Sequence, residues 1–509
     1  MPEEMTTPAS SAHFADALDA EFLRDDLKGH SVRGGVLSVV AQVSQVLVQS
    51  VSTIVLARLL TPTDFGLVAM VNAVIVIASG FADLGLTEAT IQRKNITHRQ
   101  VSTLFWINVG IGLFLTLLTA AMAPVLVAFY REPRLFGITL VASVSFLIGG
   151  LRGQHNALLK RQMRFKSVAV RDITSALLGV VVGVGVALRG GGYWAILALP
   201  LTTNVALLAM SWLMVKWRPG LPHFDSETRS IVGFGGNVAI SYAIFNWMRN
   251  ADNILIGRYW GAGPLGLYSR AFNLMNLAVS QITAPTCSVA IPALSRIHDE
   301  PELFARYYLK IINLIGWIIA SLFGFLFVSA TPVIVLLLGS KWRDAAPVFQ
   351  ILSISALGQM LLESTLWVFI SKGESARLLK AMFVMCPLIV AGFALGLPFG
   401  IRGVAASLSI TLLSTLPWLL SFAFRDTALT LSRLLKALLP PVALSIAGIL
   451  TAEAALRLFD PQREITQLLV TALSFLATYL VSALLPPIRA QFASFWRLLL
   501  ELRTSRKTV

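Results

Sequence analysis

The chain has 509 residues, 56% of them hydrophobic and only 13% charged, where a soluble globular protein carries roughly 25% charged residues. With a mean hydropathy of +0.74, a fold with water on every side is excluded and a polytopic membrane protein is implied. The formal net charge is nevertheless +15, from 41 Lys and Arg against 26 Asp and Glu; on a soluble domain that excess would suggest nucleic acid, so its meaning depends on where the cations lie.

Residues 1–35 hold seven acids against three bases and lack the cationic lead of a secretory signal, so the first apolar helix is expected to be a retained span. A hydrocarbon core of about 30 Å needs about 20 apolar residues per helix. Fourteen stretches meet that measure, near 36–57, 65–83, 103–128, 136–151, 172–188, 193–215, 231–256, 265–292, 310–330, 346–370, 378–398, 402–424, 437–456 and 466–486. The expected class is an all-α polytopic membrane protein. Its expected parts are a cytoplasmic tail (1–35), an N-lobe of spans 1–6 (36–215), a C-lobe of spans 7–12 (216–425), spans 13–14 (426–487) and a basic cytoplasmic tail (488–509). The longest interior loops, 152–171 and 293–309, are too small to be domains.

With the N-terminus inside, alternate loops collect 29 Lys and Arg on the inner side and 12 on the outer. The positive-inside rule therefore predicts both termini in the cytoplasm. The loop 152–171 is the richest, with Arg152, Lys160, Arg161, Arg164, Lys166 and Arg171.

An internal comparison adds a repeat. Residues 52–70 align without gaps onto 252–270, matching Ile54 with Ile254, Arg58 with Arg258, Gly66 with Gly266 and Leu67 with Leu267. Both segments join an odd-numbered span to its successor, and six spans intervene. This predicts two six-helix lobes in parallel repeat, with two C-terminal helices outside it.

Polar residues recur along single faces of the spans. Ser38, Gln42, Gln45, Gln49 and Ser52 line one face of span 1, and Tyr242, Asn246, Arg249 and Asn253 line one face of span 7. Span 2 adds Asn72, Ser79 and Asp83, and span 8 adds Ser269, Asn273, Asn276 and Ser280 beside Arg270. Interhelical hydrogen bonding accounts for single members of such rows. Four stripes in repeat-related helices predict a hydrated cavity, because polar rows facing lipid are costly.

Ionisable groups within the spans need a partner or a purpose. Arg249 and Asp252 can neutralise one another, or Arg249 can exchange Asp252 for a substrate anion, its fork suiting phosphate oxygens. Glu363 has no basic neighbour in its own span. All six histidines are placed outside the spans, so any proton coupling is assigned to carboxylates. Cys287 and Cys386 are too few for a disulfide framework or thiolate zinc site. The sequence contains no phosphate loop or HExxH motif, no cofactor is expected, and transport is favoured over catalysis.

Three segments, taken in order, resemble the polysaccharide-transporter branch of the multidrug/oligosaccharidyl-lipid/polysaccharide flippase superfamily. They are Ala57-Arg58-Leu59-Leu60-Thr61-Pro62-Thr63-Asp64-Phe65-Gly66, then Asp252-Asn253-Ile254-Leu255-Ile256-Gly257-Arg258 with Gly266-Leu267-Tyr268-Ser269-Arg270-Ala271, and then the Wzx-like stretch Leu338-Gly339-Ser340-Lys341-Trp342-Arg343-Asp344-Ala345-Ala346-Pro347. The likeness implies a central cavity working by alternating access. It also implies flipping of an undecaprenyl-diphosphate-linked oligosaccharide across the bacterial inner membrane, driven by an ion gradient. On this reading Arg249 and Arg270 bind the diphosphate. Gln42, Gln45, Gln49, Asn72, Tyr242, Asn246, Asn253, Asn273 and Asn276 line the cavity, and Asp252 and Glu363 couple an ion. The implied partners are the lipid-linked substrate, membrane lipids and, as candidates, polysaccharide polymerase and export machinery, with no nucleic acid. The alternatives are a cation-coupled multidrug antiporter on the same fold and a non-transporting membrane subunit of a polysaccharide assembly complex.

Overall fold

The computed structural model describes residues 27–82, 85–93, 96–223 and 250–484, with side chains in the first helix described from residue 40. Among the described residues every regular element is helical, as the hydrocarbon requires of a chain that does not close into a barrel. Among the described residues twelve stretches are long and apolar enough to cross a membrane, and two of them, His98–Tyr130 and Ser375–Ala423, each contain two α-helices. The chain is a multi-pass membrane protein. Of the seventh expected span, 231–256, only the end is described, from residue 250 onward.

Two compact units divide the chain, Met1–Gly266 and Leu267–Val509. The first contains α1 (Leu27–Leu59), α2 (Pro62–Ser79), α3 (Leu86–Gln92), α4 (His98–Ala121), α5 (Ala123–Tyr130), α6 (Leu135–Arg161), α7 (Phe165–Leu188), α8 (Tyr193–Met214) and α9 (Ala251–Trp260). Local chemistry starts these helices. Thr61 caps α2 reciprocally with Asp64, and Pro62 occupies the first turn, where its missing N–H costs nothing. Thr97 and Gln100 form the same capping box before α4. Packing then follows small residues. Ser175, Gly179, Gly183 and Ala187 form a buried stripe along α7, and a Cβ on Gly179 or Gly183 would press on Leu199 or Thr203 of α8.

The repeat has a physical counterpart. Gly261, at φ 80°, lets the chain turn from α9 into α10 (Ala262–Ser295), just as residues 60 and 61 separate α1 from α2. At the crossing of α2 with the start of α10, a Cβ on Gly66 would collide with the Ala262 carbonyl, and one on Gly266 with the Pro62 carbonyl. Residue 62 thus meets 266 and residue 66 meets 262, which preserves the offset of 200 read from the sequence.

In the second unit, α10 is followed by α11 (Pro301–Val328), α12 (Ala330–Leu338), α13 (Ala346–Ser371), α14 (Ser375–Gly396), α15 (Gly400–Ala423), α16 (Leu431–Phe459) and α17 (Glu464–Ser482). Helix α11 packs on both α13 and α16, and α16 on α17. Asn313 donates to the Ala437 carbonyl at 2.6 Å and Ser445 to the Ala320 carbonyl at 2.6 Å, so the last two helices are anchored on α11. The Ser340–Ala345 turn buries Trp342 completely and ties Arg343 to Glu464 at 2.5 Å.

Two features depart from the sequence-based expectations. Helix α6 runs on to Arg161 and α7 starts at Phe165, so most of the expected loop 152–171 is helical. His155, expected outside the spans, lies in α6, fully buried, stacked on Trp212 at 4.4 Å between ring centroids and edge-on to Trp217 at 5.2 Å. The imidazole fills an aromatic core with Phe105 rather than a water-facing turn.

Gly66→Ala or Gly266→Ala must push backbone from backbone, which is the severe end of overpacking, about 3 kcal/mol. Each is expected to lower the melting temperature in detergent clearly. Gly110→Ala on α4, which meets nothing within 4 Å, is expected to match or exceed the parent, and equal melting of all three variants would refute the crossing.

Candidate substrate cavity

The first unit contains an open cavity of about 470 Å³ lined by α1, α6, α7 and α8. Its polar lining is Gln45, Gln49 and Ser52 from α1, Arg152, Asn156 and Lys160 from α6, Arg171 and Asp172 from α7, and Thr203 and Asn204 from α8. A smaller cavity of about 160 Å³ adjoins it through the shared Pro200 and Asn204 and contains Asn72 and Ser145. Pro200 lies inside α8, where proline cannot donate to the preceding turn.

Spacing along each helix produces this lining. Arg152, Asn156 and Lys160 recur every fourth residue and so share a face of α6. Gln45, Gln49 and Ser52 follow steps of four and three on α1. Ser52 itself is satisfied within its helix, donating to the Gln49 carbonyl at 2.8 Å.

The cations near the cavity divide by task. Arg171, only 4% exposed, is fully engaged: its guanidinium donates to Asp172 at 2.8 Å, to Ser211 at 3.1 Å and to the Asn156 amide oxygen at 3.0 Å. Arg161 donates to the Thr90 and Arg93 carbonyls at the end of α3, and Arg164 to the Met214 carbonyl at the end of α8, where cations complement the helix dipole. Arg218 covers the Trp212 ring at 5.5 Å. Arg152 and Lys160, by contrast, make no hydrogen bond or ion pair among the described residues while lining the cavity. The charged lining therefore comprises three cations and one carboxylate.

The residues expected from sequence fall in several places. Gln45 and Gln49 line the larger cavity and Asn72 the smaller, whereas Gln42 lines neither of them. Asp252, 1% exposed, accepts the Asn253 backbone N–H at 2.7 Å in the first turn of α9, and the Asn253 amide donates to Asn250 at 3.4 Å. Arg270 is half-buried on α10, Asn273 is exposed, and Asn276 accepts from Gln359 of α13 at 3.0 Å. Glu363 is half-buried on α13, one turn beyond Gln359. Arg249, Asn246 and Tyr242 lie outside the described residues. Sequence reasoning did not single out Arg152, Asn156, Lys160 or Asn204 as lining residues; the spacing of 152, 156 and 160 was the available signal.

Comparison with known proteins agrees with this architecture. Residues 55–347 match the family described as "Polysaccharide biosynthesis protein". The chain is 26% identical to the lipopolysaccharide biosynthesis protein WzxC of Escherichia coli K12, over 65% of this chain and 68% of that one. It is 25% identical to the teichuronic acid biosynthesis protein TuaB of Bacillus subtilis 168, with the same coverage. Among solved structures, the lipid II flippase MurJ in an inward closed conformation superposes with a TM-score of 0.68, covering 88% of this chain and 99% of that one at 13% identity. An inward-facing MATE multidrug transporter gives 0.59, covering 75% and 96% at 14% identity. These two likenesses concern the fold. A family match over more than half of the chain decides the assignment: the protein is a member of the polysaccharide biosynthesis protein family, on the fold shared by MurJ and the MATE transporters.

Proposed function

We propose that the protein flips an undecaprenyl-diphosphate-linked oligosaccharide repeat unit from the cytoplasmic to the periplasmic leaflet of the bacterial inner membrane, for polysaccharide export. It is a transporter rather than an enzyme. The observation that carries this reading is a cavity among apolar helices in a polysaccharide biosynthesis family member, whose lining combines excess positive charge with neutral amides and hydroxyls. Amides and hydroxyls such as Gln45, Gln49, Thr203 and Asn204 suit sugar hydroxyls. Among similar proteins, a Rhizobium meliloti chain is named as the succinoglycan biosynthesis transport protein ExoT, which supports transport.

Arg249, helped by Arg270, takes the diphosphate on this reading. Cation or proton binding at Asp252 or Glu363 biases the alternation, drawing on about 2.3 kcal/mol per charge per 100 mV. Both termini face the cytoplasm. The antiporter alternative fits less well, because an organic cation gains nothing from a lining with more guanidinium and ammonium groups than carboxylates.

Cells lacking the protein are expected to accumulate lipid-linked repeat units on the inner leaflet and to lose the surface polysaccharide; normal export would refute the flippase reading, and drug sensitivity with normal polysaccharide would favour the antiporter. Joint replacement Asp252→Asn and Glu363→Gln is expected to abolish the dependence of flipping on the ion gradient. Unchanged gradient dependence in that variant would remove these two carboxylates from the coupling.

A further inference from the structure

We propose that Lys160 and Arg152 form an anion track on α6, receiving a phosphate-type dianion at the Lys160 end of the larger cavity and holding it at Arg152. The inference rests on the flippase reading and adds to it a site within the first unit, built on residues other than Arg249 and Arg270.

The geometry is that of a path. Lys160 is exposed and lies next to the last residue of α6, whereas Arg152 is half-buried and lies eight residues further in, about 12 Å along the helix axis. Asn156 stands between them on the same face, its amide oxygen held by Arg171. At about 470 Å³ the cavity is of ligand size, within the roughly 300–1,000 Å³ usual for small-molecule sites.

The charges have no other assignment. Arg161, Arg164, Arg171 and Arg218 each bond a carbonyl, amide or carboxylate. Arg152 and Lys160 have no such partner among the described residues. Orientation by positive charge explains a lysine at a helix end, whereas Arg152 lies more than two turns before the end of α6. Arg152 shares the cavity lining with both Arg171 and Asp172. Asp172 already pairs with Arg171 at 2.7 Å, so the lining carries three cations against one anion, and a dianion neutralises the excess. A guanidinium fork and an ammonium are both suited to phosphate oxygens.

The second half of the chain lacks this track. Helices α6 and α13 end at 161 and 371, and α7 and α14 begin at 165 and 375, a correspondence of 210. Arg152, Asn156 and Lys160 then match Leu362, Leu366 and Ile370, while Arg171 and Asp172 match Ala381 and Met382. Helix packing of this repeat is therefore achieved without charge at the positions of Arg152 and Lys160, and packing does not account for those two cations.

The test uses the full-length chain in lipid nanodiscs, with inorganic pyrophosphate and undecaprenyl diphosphate as separate probes. For the parent, binding of at least one probe is expected. Arg152→Gln and Lys160→Gln are each expected to weaken it by about tenfold or more, and the double variant to abolish it. Arg152→Lys should retain binding, and Lys166→Gln, at an exposed position outside the cavity, should leave it unchanged. Tighter binding of the lipid probe identifies a lipid headgroup as the source, and equal binding a free phosphate anion; both support the site when lost in the double variant. A correctly folded double variant that binds as the parent does overturns it, as does a parent that binds neither probe. In cells, a deletion that blocks export but is fully rescued by the double variant refutes the track alone. A deletion that leaves export normal refutes the flippase reading.

Discussion

A polar group left without a partner in hydrocarbon costs several kcal/mol, and this constraint organises the whole protein. It makes the backbone helical and sends hydroxyls back to their own helices: Ser102 to the His98 carbonyl, Thr139 to Leu135, Ser211 to Leu207, Ser353 to Phe349 and Thr471 to Gln467. It draws cations to the free carbonyls at helix ends, as with Arg161 and Arg164 in the first unit and Arg377 on the Phe422 carbonyl in the second. Some polar groups of the first unit fall outside this scheme, and Gln45, Gln49, Arg152 and Lys160 among them line one cavity.

Duplication supplies the frame and divergence supplies the chemistry. The reciprocal approach of Gly66 to Ala262 and of Gly266 to Pro62 uses the same small residue in both copies, because only a missing Cβ allows two helix backbones to meet there. The positions of the ion cluster on α6 and α7 correspond on α13 and α14 to Leu362, Leu366, Ile370, Ala381 and Met382. Arg171 illustrates how a buried cation is tolerated: it is locked among Asp172, Asn156 and Ser211. Such a caged pair gives specificity of packing more than net stability, and it holds Asn156 in place between the two free cations.

Much of the fold was legible in the sequence, since apolar runs of span length are set by the bilayer itself. The stripe on α1 was legible as well: a four-three spacing places Gln45 and Gln49 on one face, where the cavity lies. Gln42 shares that spacing but lines neither cavity, because a stripe gives a direction and not the depth at which neighbouring helices part. The run 152–171 was misread as a loop because the apolar stretch stops at Arg152. Helix α6 continues beyond it, with Arg152 and Lys160 lining the cavity and Arg161 bonded to the Thr90 and Arg93 carbonyls. The same rule, that charge ends a span, placed His155 outside the membrane helices, whereas its ring stacks on Trp212 and meets Trp217 edge-on. Long-range partners such as Gln359 for Asn276 have no local signature in either segment.

The proposed function is the transfer of a lipid-linked saccharide between leaflets by an apolar helical protein with a cation-bearing cavity. Its most direct test is reconstitution of the purified chain into proteoliposomes containing a defined undecaprenyl-diphosphate-linked oligosaccharide, with outer-leaflet sugar read by a membrane-impermeant lectin under an imposed ion gradient. The account predicts protein-dependent, gradient-dependent transfer of the sugar between leaflets, absent from empty liposomes. Transfer at the rate of protein-free liposomes, by correctly folded protein with the gradient in place, would contradict it.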